Sequence, residues 1–241
     1  MSTNPQPVAF AVDDTQRVSG LLQAPPAARA CYVMAHGAGA GMAHPFMVNV
    51  ANDLASRGIA TLRYQFPYME RGSKRPDMPK LAHAAVRAAV AAASRLLPEL
   101  ALFAGGKSYG GRMTSQAQGI APLPGVRGLV FLGFPLHPAG EPSASRAAHL
   151  PTVQIPMLFL QGTRDEFADL RLVKGIVGKL GARATLRSFD DADHSFHVPA
   201  RTGRKDSEVR AEMADALVEW IDKIPPPSAA APAGRAQKSR A

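Results

Sequence analysis

The stretch Leu100-Ala101-Leu102-Phe103-Ala104-Gly105-Gly106-Lys107-Ser108-Tyr109-Gly110-Gly111-Arg112 decides how this chain is read. Its apolar start predicts a short buried strand, Leu100–Ala104, and Tyr109–Gln118 predicts a helix. Between them lies G-x-S-x-G, with Ser108 at the centre. A serine held in so tight a strand-to-helix turn sits on strained backbone, and its neighbours two residues away must be small. Gly106 and Gly110 meet that need. The turn lifts the hydroxyl above the sheet edge and sets the next N–H at a helix N-terminus. The bare pattern is common by chance, but between a strand and a helix it is much more specific, and it predicts a nucleophile elbow. Two other glycine readings fail. A phosphate loop ending in Gly106-Lys107-Ser108 needs glycine where Ala101 stands. A dinucleotide fingerprint starting at Gly37 needs glycine where Met42 or His44 stands.

Working outward, strand and helix signals alternate. Val8–Val12 and Arg17–Leu22 predict a leading hairpin around Asp13-Asp14. Ala30–Ala35, Ile59–Arg63, Gly128–Phe134, Met157–Gln161 and Ala184–Phe189 read as strands. Helices are expected over Pro45–Arg57, Lys80–Leu97 and Glu166–Leu180, with Pro45 opening the first and Gly58 and Gly181 closing two of them. The last helix carries Val209, Met213, Leu217 and Trp220 as an apolar stripe. This alternation predicts an α/β fold with a mostly parallel sheet and helices on both faces. Ligands in such sheets bind past the carboxyl ends of the strands.

A serine hydroxyl needs a base to become nucleophilic, and the base needs an orienting acid. His194, in a loop past the last strand, is the expected base, with His197 the second choice. Asp165, after Met157–Gln161 and a glycine-bearing turn, is the expected acid; Glu166 and Asp169 are near enough to substitute. Asp165 is also a possible helix N-cap, and Asp193 is expected to shape its loop. Backbone donors for a developing oxyanion are expected from Tyr109 and from the loop His36-Gly37-Ala38-Gly39-Ala40-Gly41, with Ala38 first and Gly39 second. His36 is expected to brace that loop. Tyr64, Phe66, Tyr68, Phe134, Leu136 and His137 lie past strand ends and are the expected pocket lining. Arg63 and Arg71 are candidates to meet a substrate carboxylate.

Composition sets the frame. The 241 residues suit one domain, spanning 8–224, with 46% hydrophobic and 20% charged residues. A flexible N-terminus, 1–7, and a disordered Pro/Ala-rich basic tail, 225–241, are expected to flank it. The formal net charge is +9, but the basic residues are scattered and not interleaved with aromatics, so no nucleic-acid partner is expected. No run of 18 apolar residues predicts a membrane span. Met1–Val12 lacks the basic and apolar regions of a secretory signal, and Cys31 is the single cysteine. A reducing, cytoplasmic setting is the expectation. His194 and His197 lack a clear third ligand, so no metal or other cofactor is expected.

The segments HGAGAGMAHPFM (36–47), LRYQFPYME (62–70), GGKSYGGRMTS (105–115), FLGFPLHPAG (131–140), LFLQGTRDEFAD (158–169) and DADHSF (191–196) resemble the α/β-hydrolase superfamily. The resemblance covers nearly all of 8–223. More narrowly, the chain is similar to small, lid-poor, dienelactone-hydrolase-like enzymes, in a subgroup that also holds a testis-expressed protein and a subunit of a chromatin acetyltransferase complex. The resemblance implies an α/β-hydrolase fold with little or no lid. It implies Ser108 as nucleophile, Asp165 as acid, His194 as base, and Ala38 and Tyr109 as oxyanion donors. Dienelactone hydrolases proper use cysteine as nucleophile, and serine stands here, so their substrate is not inherited. From Leu132 to Asp165 there is room for one short helix, Ser143–Leu150. An open site for short or exposed esters or thioesters is the expectation. The competing readings are a non-catalytic interaction scaffold on a hydrolase fold, and peptidase, perhydrolase or acyltransferase chemistry at the same serine.

Overall fold

A computed structural model of the chain describes residues 4–225. The tail expected to be disordered lies, beyond Pro225, outside the described residues. The strands are β1 (Gln6–Ala11), β2 (Arg17–Gln23), β3 (Ala30–Ala35), β4 (Ile59–Tyr64), β5 (Ala101–Lys107), β6 (Val126–Leu132), β7 (Met157–Gly162) and β8 (Ala184–Phe189). They form one sheet in the order β1-β2-β4-β3-β5-β6-β7-β8. β2 pairs antiparallel with β1 and with β4, and every other pair is parallel.

Asp13 closes the leading hairpin by accepting the N–H groups of Thr15 at 2.8 Å and Gln16 at 2.9 Å. β1 begins two residues earlier than expected. Gln6 and Pro7 pair with Leu22 and Leu21, so they belong to the sheet and not to a frayed N-terminus. Pro7 is tolerated because β1 is an edge strand. In β3, β4 and β7 every residue is buried, as strands covered on both faces require.

The helices are α1 (Pro45–Ala55), α2 (Pro67–Glu70), α3 (Pro79–Leu96), α4 (Tyr109–Ile120), α5 (Leu170–Leu180) and α6 (Asp206–Lys223). One core holds Met47, Val50 and Leu54 of α1 with Val209, Met213, Leu217 and Trp220 of α6. Burying an apolar side chain of this size contributes roughly 1.5–3 kcal/mol, so α6 is held by packing more than by propensity. The second core holds Ala82, Ala85, Ala89, Ala92 and Ala93 of α3, Met113 of α4 and Val173 of α5. No described helix is long and apolar enough to cross a membrane.

Several boundaries differ from expectation. β5 runs on through Gly105, Gly106 and Lys107, which leaves no loop there to wrap a phosphate. β6 stops at Leu132, two residues before Phe134. α5 starts at Leu170, and its N-cap is Asp169, which accepts from Arg171 N–H at 2.8 Å; Asp165 is not the cap. The expected helix Ser143–Leu150 is instead two 3-10 turns, Ser145–Ala147 and Leu150–Thr152. Among the described residues no lid covers the carboxyl edge of the sheet.

Strand order positions the site. β4 lies on one side of β3 and β5 on the other. The chain leaves β3 toward α1 in one core and leaves β5 toward α4 in the other. That divergence opens a crevice past the carboxyl ends of β3 and β5.

Candidate active site

Ser108 follows β5 directly and caps α4, with φ 49° and ψ −113°. Gly106 lies opposite Ala35 of β3. A Cβ on Gly106 would stand 2.1 Å from the Ala35 carbonyl oxygen, and one on Gly110 would stand 2.5 Å from it. The backbone of β3 therefore dictates both glycines.

His194 reaches Ser108 from the loop after β8. Its Nε2 lies 2.9 Å from the Ser108 hydroxyl oxygen, and its Nδ1 lies 2.7 Å from a carboxylate oxygen of Asp165. The carboxylate accepts the Nδ1–H, which leaves Nε2 as the acceptor for the hydroxyl proton. Asp165 also accepts from Phe167 N–H at 2.8 Å and from the Gln161 amide. Gln161, buried in β7, accepts Phe134 N–H at 2.9 Å through its other end. It fixes the acid to the end of β6, and sequence reasoning missed it. The available signal was a polar residue inside the apolar run Met157–Gly162. Phe167 packs edge-on against the His194 ring, centroids 4.7 Å apart.

The backbone of the histidine loop is tied down at His194 and at the residues after it. Asp193 accepts the N–H groups of Ser195 at 2.7 Å and His197 at 2.9 Å. The Lys107 ammonium donates to the His194 carbonyl at 2.6 Å and lies 5.8 Å from the ring centres of Phe46 and Phe196. Burial pulls its pKa down to about 8, against the opposing charges of Asp165 and Asp193. His197 pairs with Asp206 at 2.9 Å, which raises its pKa, and is not the histidine bonded to Ser108. Glu166 is exposed.

On the β3 side, His36 is fully buried. Its Nε2 accepts Phe66 N–H at 3.1 Å, and its Nδ1–H donates to the Gly37 carbonyl at 2.8 Å. Burial pulls its pKa down to about 4, so the ring is neutral and braces the loop. Gly39 N–H is taken by the Tyr68 hydroxyl at 3.1 Å. Ala38 lines the same cavity as Ser108 and Tyr109. Tyr109 is the first residue of α4, where an N–H has no intrahelical acceptor.

The cavity above Ser108 measures about 690 Å³. Tyr68, Phe134, Leu136 and His137 do not line it, contrary to expectation. Tyr68 is buried, with its hydroxyl on the β3 loop. Gly133, at φ 71°, turns the chain after β6 so that Phe134 and Leu136 enter the core, where Phe134 packs on Phe131 and Phe159. His137 is buried between the Pro138 carbonyl and Asp169 N–H. Tyr64 and Phe66 are buried in the same core as Phe134. Arg63 is committed to the Met42 carbonyl at 3.1 Å and Arg71 to Asp77. The lining comes instead from Phe46 and Met47 of α1, Arg112 and Met113 of α4, Phe167, and Arg146 between β6 and β7.

Solved structures share this fold. An α/β serine hydrolase homologue from Coxiella burnetii is 17% identical, with a TM-score of 0.70 over 92% of this chain and 98% of its own. A lidless α/β serine hydrolase from Xanthomonas campestris is 20% identical, with a TM-score of 0.70 over 91% of this chain and 96% of its own. A dienelactone hydrolase from Anabaena variabilis is 22% identical, with a TM-score of 0.70 over 92% of this chain and 99% of its own. The family model described as alpha/beta hydrolase domain matches residues 28–222. With that match spanning most of its length, the chain belongs to the alpha/beta hydrolase domain family.

Proposed function

We propose that this chain is a serine hydrolase that cleaves a carboxylic ester or thioester through an acyl-enzyme on Ser108. The observation that carries the reading is the unbroken hydrogen-bond chain from the Ser108 hydroxyl through His194 to buried Asp165, at the floor of an open cavity. In the proposed reaction the Ser108 oxygen attacks the acyl carbon while its proton passes to His194 Nε2. Asp165 holds the Nδ1–H and stabilises the imidazolium. The oxyanion is met by the N–H groups of Tyr109 and Ala38. The bond to the leaving oxygen or sulfur breaks as His194 returns the proton to it. Water then loses a proton to His194 and attacks the acyl carbon, and the acid leaves as the proton returns to Ser108.

The test is pre-steady-state hydrolysis of short p-nitrophenyl esters. Wild type is expected to release nitrophenol in a burst that matches the enzyme concentration. Ser108→Ala abolishes the burst, and Asp165→Asn lowers kcat by roughly 10⁴-fold through the wrong imidazole tautomer. Full turnover retained in folded Ser108→Ala would overturn the reading.

A further inference from the structure

Arg112 and Arg146 face the cavity beside Ser108 and serve nothing described so far. Arg112 stands four residues past Ser108 in α4, and Arg146 comes from the 3-10 turn Ser145–Ala147. Among the described residues neither guanidinium has an ion-pair partner. The carboxylates of this region are already committed, Asp77 to Arg71 and Tyr68 N–H, and Asp165 to His194. Arg112 Nε is buried without a hydrogen-bond partner, and its guanidinium lies 5.9 Å from the Tyr109 ring. Burial, and then the charge of Arg146, push the Arg112 pKa below its ordinary value.

Among the described residues no carboxylate is paired with either charge. His149 holds Ser115 at 2.7 Å, and burial pulls its pKa down to about 4, so it adds no third positive charge at neutral pH. His83 is bonded to Gln116 at 3.1 Å, and burial lowers its pKa as well. Asp77 and Lys107 also line the cavity, held by Arg71 and by the His194 carbonyl, and the rest of the wall is largely apolar, with Phe46, Met47, Met113 and Pro79. A largely apolar cavity lined by two guanidiniums without ion-pair partners suits an amphipathic ligand with an anionic end.

We infer that Arg112 and Arg146 form an anion subsite, and that the ester cleaved at Ser108 carries an oxyacid group, a carboxylate or phosphate, several bonds from the scissile carbonyl. The inference rests on the reading of Ser108 as nucleophile. The spacing follows from the helix: four residues of α4 rise about 6 Å.

The experiment compares anionic esters with neutral esters of matched length, on the full chain. One arm places the charge on the acyl side, with p-nitrophenyl hemisuccinate, hemiglutarate and hemiadipate against butyrate, valerate and caproate. The other places it on the leaving group, with 4-acetoxybenzoate and 4-acetoxyphenyl phosphate against 4-methylphenyl acetate. In one arm kcat/KM is expected to favour the anionic ester by ~10-fold or more, mostly through KM. Added salt shrinks that preference, and Arg112→Gln and Arg146→Gln each bring the ratio toward one. The arm that responds identifies which side of the ester carries the charge. Neutral esters preferred in both arms, or ratios indifferent to both substitutions, overturn the subsite. Fluorophosphonate labelling of the same preparations separates the two levels: labelled Ser108 without anion preference sinks the subsite alone. If labelling and turnover both fail, the nucleophile reading falls, and calorimetric titration with glutarate and phenyl phosphate then decides the subsite. Binding weakened by both arginine substitutions upholds it, and equal or absent binding overturns it.

Discussion

The Asp165 side chain is shut off from solvent and meets three donors, from His194, Gln161 and the Phe167 backbone. A buried carboxylate is costly unless satisfied in this way. The same logic with opposite chemistry governs His36, which is buried and neutral. Its folded pKa of about 4 lies below the ordinary 6.5. Between these values the unfolded chain binds a proton that the folded chain refuses, so stability rises with pH through that window. The contribution is fully present above pH 6.5 and is lost as the pH falls toward 4, at most about 3 kcal/mol. Urea unfolding of wild type at pH 7.5 and 4.5 is expected to show a loss about 2–3 kcal/mol larger than the same comparison in His36→Gln. Equal losses would contradict the neutral brace. The site was partly legible at this scale. Ser108, His194 and Asp165 each follow a strand end with a recognisable local signal, and the structure brings them within hydrogen-bond reach. Gln161, Lys107, Arg112 and Arg146 were not assigned, because their roles depend on what tertiary packing sets beside them.

At the scale of elements, the elbow is a three-part object made by β5, α4 and the neighbouring strand β3. Its glycines are needed because the Ala35 carbonyl oxygen occupies the space their side chains would take. Gly106→Ala must move backbone of a central strand and is expected to cost on the order of 3 kcal/mol or more. At roughly 2–4 °C per kcal/mol for a domain of this size, its Tm falls by roughly 6–12 °C. Gly175 in α5 has open space around its Cβ position, so Gly175→Ala is expected to stabilise by up to about 1 kcal/mol. Thermal scans of both variants check the contrast, and similar Tm shifts would contradict the steric account. Strand and helix cores were legible from apolar runs and spacing. Their ends were not: β5 continues through three residues that read as turn, because pairing with β3 and β6 holds them extended. The pocket expectation failed for a related reason. Residues past β6 read as crevice lining, but the turn at Gly133 sends Phe134 and Leu136 into the core.

At the scale of the molecule, one reversal of strand order between β3 and β5 makes the crevice, and two separate cores hold its walls. α1 supplies one wall and α4 the other, so the cavity joins segments from 37 to 195 that no local pattern links. Among the described residues no lid covers the cavity above Ser108. The central claim is that Ser108 is an activated nucleophile, and the most direct measurement is fluorophosphonate labelling read by intact mass. Wild type is expected to gain one adduct, while folded Ser108→Ala and His194→Ala gain none. Folded wild type that stays unlabelled, or Ser108→Ala that labels as wild type does, would contradict the account.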